Sequence, residues 1–376
     1  GLLSIPWFGP LAQRLLESAS ASKKGNSKNL DRSSTKTRIP GTSTSSRTNE
    51  NCHRSTAWRV MQPLLRSSYM QFGVCSLETD VEDVEELLAE ILVDLQDSAT
   101  VQHSNGTVLP KNEIKKHREL VFVGHSTGCQ IAVRWLLHRA NSNSLASLLP
   151  FTRIRLILQG AVSDREATEQ EMRDAGLEKT LCELQALLFD ERHGEDRMAD
   201  GLLLPARLAP FLSGAPAITI GRARSFLGRL TADDLFSTDL TADEIAEIFS
   251  PVRKALVLPS SHVAASNDSP SASLQVNLQL LLSPKDEYAI LKSKEGYADF
   301  LSRYCIAATG GGAKFEGSYV CADRRFRASY SLYEGSHGGA EVSDVLSAAV
   351  FGSIANPLQD TSMLAEALHF MRDQIG

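Results

Sequence analysis

A short apolar run breaks at a glycine turn and resumes as a helical pattern over residues 119–137: Glu-Leu-Val-Phe-Val-Gly-His-Ser-Thr-Gly-Cys-Gln-Ile-Ala-Val-Arg-Trp-Leu-Leu. Leu120 to Val123 are β-branched, aromatic or aliphatic and are bounded by Gly124, as in a central parallel strand. After the turn, Ile131, Val133, Trp135 and Leu136 fall loosely on one helical face. The turn itself, Gly124-His125-Ser126-Thr127-Gly128, has the spacing Gly-x-Ser-x-Gly. A serine on a strained strand-to-helix turn projects its hydroxyl away from the backbone, and the flanking glycines leave room for the close strand–helix contact that such a turn forces. Neither Gly-x-Gly-x-x-Gly nor Gly-Lys-Ser/Thr occurs in this stretch, which argues against a nucleotide-binding loop.

The length, 376 residues, suffices for one large α/β domain with insertions, and the 42% hydrophobic content supplies a sizeable core. The formal charge of −6 offers nothing to a nucleic-acid backbone or an acidic membrane surface, so neither partner is expected. No apolar run approaches the ~20 residues of a membrane-spanning helix. Six cysteines (Cys52, Cys75, Cys129, Cys182, Cys305, Cys321) are scattered without paired spacing. The expectation is no metal site, no disulfide scaffold, no cofactor and a reducing, cytoplasmic setting.

In chain order, a short helix is expected after Pro10, with Leu11, Leu15 and Leu16 on one face. Residues 18–56 are rich in Ser, Thr, Asn, Lys and Arg and almost devoid of large apolar side chains, which predicts a disordered, basic insertion. Residues 58–64 read as a strand and turn, and 80–95 as a helix carrying Val81, Val84, Leu87, Leu88, Ile91, Leu92 and Leu95. Beyond the glycine turn, strands are expected at 153–160, 254–258, 276–282 and 328–333. Helices are expected at 168–188, 288–304, 341–354 and 358–375. Residues 190–249 look like an irregular cap, and 259–273 like a loop insertion. Alternating strands and helices predict one domain over 1–376 with a mostly parallel central sheet flanked by helices.

In such a sheet the reactive groups stand just beyond the carboxyl ends of the strands. Ser126, Asp286 and His337 each follow an expected strand, in the order Ser, Asp, His of the α/β-hydrolases. The residue types fit one chemistry. A serine hydroxyl needs a base to take its proton, imidazole can take that proton and return it, and a carboxylate orients the imidazole. Glu287 and Asp164 are alternative acids, since Glu287 adjoins Asp286 and Asp164 also follows a strand. The amide of Thr127 is placed as an oxyanion donor. Asp164 and Arg165, leaving the strand beside the turn, are candidates for substrate contacts and equally for a buried salt bridge.

Further motifs carry a family resemblance: Ser67-Ser68-Tyr69 with Gly73, Ser76-Leu77 and Asp80; Gly124 to Gln130; Gln159 with Val162-Ser163-Asp164-Arg165-Glu166; Pro216-Ala217-Ile218-Thr219; Asp233-Asp234-Leu235-Phe236-Ser237-Thr238-Asp239-Leu240; and Asp286-Glu287-Tyr288. Together they resemble a family of uncharacterised α/β-hydrolase-fold proteins that includes the fungal siderophore (fusarinine-type) esterases. The resemblance implies a triad on Ser126, Asp286 and His337, no metal, and hydrolysis of a small-molecule ester. Gly1-Leu2-Leu3-Ser4-Ile5-Pro6-Trp7 resembles the tail of that family's first glycine-rich motif. The first strand and the second oxyanion donor are then expected upstream of Gly1. Two rival readings share these residues: a hydrolase-fold binding protein with impaired catalysis, and a thioesterase or peptidase using the same triad. Oligomeric state has no signature in the sequence.

Overall fold

The computed structural model describes residues 13, 60–68, 71–100, 118–148, 151–189, 199–210, 217–257, 274–315, 318–322, 324–338, 345–346 and 349–350. The expected insertions at 18–56 and 259–273 and the expected helix at 358–375 lie outside these residues.

Helix α1 (Leu77–Thr100) precedes strand β1 (Arg118–His125) and helix α2 (Thr127–Asn141). Strand β2 (Phe151–Gln159) is followed by helices α3 (Asp164–Asp174), α4 (Glu178–Phe189), α5 (Ile220–Leu227) and α6 (Ala242–Val257). Strand β3 (Gln275–Leu282) leads to helix α7 (Lys294–Ala308) and then to β4 (Ala313–Phe315), β5 (Ser318–Val320) and β6 (Phe326–Leu332). The sheet runs β1-β2-β3-β6-β5-β4. The pairings β1–β2, β2–β3 and β3–β6 are parallel, whereas β5 pairs antiparallel with both β6 and β4. The protein is therefore of the α/β class with a mixed sheet.

Side-chain alternation sorts the central strands between two cores. Ile154, Leu156 and Leu158 of β2 and Val276, Leu278, Leu280 and Leu282 of β3 join the main core with α1, α2, α6 and α7. Ile157 and Leu281 point to the other face, where they pack with Tyr333, Val345, Leu346, Ala349 and Val350. The Arg155 guanidinium also reaches that face and donates to the carbonyls of Ala349 and Val350. Trp135, fully buried on α2, packs on Phe122 of β1 at 4.3 Å between ring centroids. A third cluster stands apart from the sheet, where Met172, Leu181, Leu184, Leu188, Ile220, Ala223 and Phe226 join α3, α4 and α5.

Several expected elements change. Residues 254–258 are predicted as strand, but Ile245, Phe249, Val252 and Leu256 bury one stripe of α6, which runs unbroken past Pro251. The helical burial pattern overrides the local β-branched signal. Residues 242–249 of the expected irregular cap belong to this same helix, and 220–227 of it form α5. The single helix expected over 168–188 is two, because Gly176 takes φ +70° and closes α3. The amide of Leu177 donates to Met172 O at 2.8 Å and that of Gly176 to Arg173 O at 2.9 Å, a Schellman termination. Helix α7 begins at Lys294 rather than at 288, with the Ser293 hydroxyl accepting from the Gly296 amide at 3.0 Å. Residues 60–64 form no regular element, and the short β4–β5 hairpin was not anticipated.

The separate sequence motifs meet in space. A Cβ on Gly73 would stand 2.3 Å from Ala217 O, and the Thr219 amide donates to Gly73 O at 2.8 Å. Ser163 and Ser237 share a hydrogen bond of 2.6 Å, while Glu166 accepts from the Thr238 amide and hydroxyl, each at 2.8 Å. Arg222 Nη1 donates to both carboxylate oxygens of Asp233, at 2.6 and 2.7 Å, and Nε donates to Phe72 O at 3.2 Å. Both residues are buried, so removing one charge strands the other in a poorly solvated site. Arg222→Met should cost about 3–5 kcal/mol in chemical denaturation. A loss below about 1 kcal/mol would show that Asp233 is solvated without its partner.

Candidate active site

The parallel strands end in register. His125 pairs with Gln159, Gln159 with Leu281, and Leu282 with Leu332. The loops that follow β1, β2, β3 and β6 therefore converge on one edge of the sheet, where Ser126, Gly160, Asp286 and His337 lie.

Ser126 sits in the one-residue turn between β1 and α2, with φ 53° and ψ −129°. For a residue with a Cβ this is a costly conformation, held only where the surroundings over-determine it. The Ser126 amide donates to Gln159 O at 3.2 Å, and Ser126 O accepts from the Cys129 amide at 2.8 Å. The turn also needs Gly124, where a Cβ would lie 2.7 Å from Gly128 O and 3.0 Å from Cys129 Cα. Gly128 plays the complementary part, because it is its backbone that approaches; a Cβ there would meet nothing within 4 Å. Thr127 opens α2, so its amide is one of the helix's first N–H groups and has no intrahelical acceptor. Cys129, the neighbouring thiol, is fully buried, and burial pushes its pKa well above the ordinary thiol value.

His337 and Asp286 meet across the two later loops. The Nδ1 of His337 lies 2.7 Å from Asp286 Oδ2, and the two residues are 8% and 1% exposed. The second oxygen, Asp286 Oδ1, accepts from the Tyr288 amide at 2.9 Å. Glu287, the alternative acid by sequence, instead accepts from the backbone amide of His337 at 3.0 Å. The two loops are stapled by Ser283, whose hydroxyl donates to Gly335 O at 2.5 Å and accepts from the Lys285 amide at 3.0 Å. Tyr288 meets the His337 ring edge to face at 5.0 Å, and His125 packs against it at 4.7 Å.

Asp164, the third acid considered, faces elsewhere. It accepts from Gln130 Nε2 of α2 at 3.0 Å. Burial, and secondarily the Asp233 carboxylate, push its pKa up to about 7, while Arg222 and His337 pull it down. Arg165 is engaged by Asp239 at 2.6 Å and Asp234 at 3.4 Å, the salt-bridge role that the sequence also allowed. No group of three or more His, Cys, Asp or Glu among the described residues could hold a metal ion, and no helix among them is long and apolar enough to cross a membrane.

Two further residues shape the site: Gly160, and Gln159, which stands in one of the sequence motifs without a role assigned to it. Gly160 has φ +63°, and a Cβ there would stand 2.8 Å from His337 Cε1 and 3.0 Å from Nδ1. The only signal was a glycine closing the expected strand 153–160. Gln159 is fully buried at the end of an apolar strand, and its amide touches His125, Tyr333 and the His337 carbonyl.

Residues 50–315 match a family described as "Protein of unknown function (DUF1749)". Among curated proteins, a UPF0613 protein of Schizosaccharomyces pombe is 27% identical over 61% of this chain and 59% of its own length. Fusarinine C esterase sidJ of Aspergillus fumigatus is 26% identical over 53% of this chain and 58% of its own. Esterase AN6793 of Emericella nidulans is 24% identical over 60% of this chain and 64% of its own. The chain thus spans about three fifths of the length of the curated relatives it matches. No solved structure matches.

Two outcomes follow from this geometry. The folded-state pKa of Asp164 lies above the ordinary value of ~3.9, so the native state holds a proton that the unfolded chain has released. Stability should fall as pH rises from about 4 to about 7. Asp164→Asn should remove that fall, with its advantage greatest above pH about 7; denaturation curves at both ends of the window test this, and parallel curves would overturn it. Gly160→Ala should lower stability by about 1–2 kcal/mol from its left-handed backbone alone, and should also shift the His337 imidazole signals in NMR spectra.

Proposed function

This chain belongs to the DUF1749 family, and from that premise we propose that it is a serine hydrolase of the α/β-hydrolase fold that cleaves carboxylic esters through an acyl-enzyme. The observation that carries the reading is the His337–Asp286 pair, 2.7 Å apart, beside the strained serine turn. Esterase names among the relatives support the reaction class.

The proposed reaction runs in two halves. The Ser126 hydroxyl attacks the ester carbonyl as His337 Nε2 takes its proton. Asp286, bonded to Nδ1, holds the ring in the tautomer that leaves Nε2 able to accept and then stabilises the imidazolium. The developing oxyanion is met by the Thr127 amide, whose N–H opens α2. Collapse expels the alcohol, which receives the proton from His337. A water molecule, deprotonated by the same ring, then releases the acid and restores Ser126.

The α3–α5 cluster, with its own core, is the proposed cap over the acyl or alcohol pocket. Arg165, tied to Asp234 and Asp239, is proposed to hold that cap to the strand end rather than to bind substrate. Asp164, without a cationic partner at hydrogen-bond distance among the described residues, remains the proposed polar contact to substrate. Esters of the fusarinine type head the substrate panel because one relative carries that name.

A fluorophosphonate probe should label the full-length protein at one residue, and Ser126→Ala should abolish labelling. Asp286→Asn should retain the fold and lower kcat by about 10⁴ through the wrong imidazole tautomer. Persistent labelling of Ser126→Ala, or a folded wild type that neither labels nor turns over any ester, would overturn the reading.

A further inference from the structure

Gln159 is the last residue of β2 and has no exposed surface. A buried primary amide is costly unless its hydrogen bonds are made, and the rest of this strand end is apolar. Its bonds are unusually directed. Nε2 donates to the His337 carbonyl at 3.1 Å and also contacts the Tyr333 hydroxyl, while Oε1 faces Nδ1 of His125. Its backbone carbonyl accepts from the Ser126 amide at 3.2 Å and the Cys129 thiol at 3.2 Å. One residue therefore touches the serine turn, the histidine inside that turn, and the loop that carries His337.

The chemistry of these partners leaves one arrangement. A peptide carbonyl only accepts, so the group facing His337 O must be the NH₂ of the amide. Oε1 then faces His125, and the nitrogen opposite an acceptor must carry hydrogen. His125 is thereby held with its proton on Nδ1, its ring tilted 44° against that of His337. We propose that Gln159 is a positioning residue whose side-chain amide ties the His337 loop to the serine turn and selects the tautomer of the histidine packed on His337. The inference rests on the reading of His337 as the general base.

The tie has an electrostatic consequence. Burial pushes the His125 pKa below the ordinary histidine value, and the neighbouring His337 pushes it the same way, against the Gln159 bond and the Asp286 and Glu287 carboxylates. Burial thus disfavours a second positive charge on the ring packed against the one that takes the serine's proton. Among the described residues, the phenols of Tyr333, through Gln159, and of Tyr288, on the His337 ring, and the Asp164 carboxylate, which senses His337 electrostatically, also belong to the titratable surroundings.

The test combines ester kinetics with ¹⁵N spectra of the imidazoles. Gln159→Met keeps the length and removes both halves of the amide. It should lower kcat about 10–100-fold, less than the ~10²–10⁴-fold that a general acid–base group contributes in full, with KM within about two-fold. It should also turn the His125 spectrum from the Nδ1–H form to a mixture of tautomers. Gln159→Glu keeps the acceptor for His125 but removes the donor to His337, and should raise the His125 pKa by about one unit or more. Should Gln159→Met fail to fold, Gln159→Glu, which matches glutamine in shape, carries the test. An unchanged His125 tautomer in Gln159→Met, or an unshifted His125 titration in Gln159→Glu, would overturn the proposal whatever happens to kcat. If the wild type hydrolyses no ester, the general-base reading fails by itself, while the spectra still decide whether Gln159 sets the tautomer.

Discussion

The left-handed backbone at Ser126 is the constraint on which the site depends. A residue with a Cβ held at φ 53° costs roughly 1–3 kcal/mol, and the chain sustains it through contacts on both sides of the turn. Gly124 lets the Gly128 carbonyl come within what would be a Cβ's exclusion radius, so α2 can leave the sheet at once. The amide of Ser126 is held by the end of β2, and its carbonyl starts the helix through Cys129. Parallel pairing then brings the ends of β1, β2, β3 and β6 level, which makes one edge of the sheet the meeting place of four loops.

At that edge several polar groups are hydrogen-bonded to one another rather than merely close. Asp286 uses one oxygen for His337 and the other for its own loop backbone. Glu287 and Ser283 fix the His337 loop by its main chain. Gln159 closes the circuit back to the serine turn. Buried polar groups are stabilising when their hydrogen bonds are made, and the groups named here each have such a partner. The helical cluster beyond β2 is attached in the same manner, through Arg165, Glu166 and the Arg222–Asp233 pair.

Much of this was legible in the residues. The four parallel strands and α1 and α2 announced themselves by apolar runs and helical spacing, because burial on a sheet face or a helix stripe leaves a periodic trace. Ser126, Asp286 and His337 are candidates by their places after strands, and Asp286 and His337 lie in contact. What misled was local: the residues around Val257 looked like a strand, yet α6 owes its form to a stripe that starts at Ile245 and packs on the main core. The break at Gly176 and the late start of α7 were decided by single backbone conformations and caps, which periodicity does not report. The mixed character of the sheet came from a hairpin of two three-residue strands, too short to carry a pattern.

By itself the sequence determined the α/β alternation, the strained serine turn and the residue types available for acid–base work, since these follow from burial periodicity and from the few residues able to occupy such turns. Tertiary structure decided which carboxylate meets His337. By sequence Asp286 is favoured as the residue nearer its strand end, with Glu287 and Asp164 left open, and only the packing of loops against the sheet aims one at Nδ1, one at a backbone amide and one at Gln130. It also decided why position 160 is glycine and position 159 an amide. Hydrogen-bond direction and the space left by a missing Cβ exist only once distant strands lie side by side.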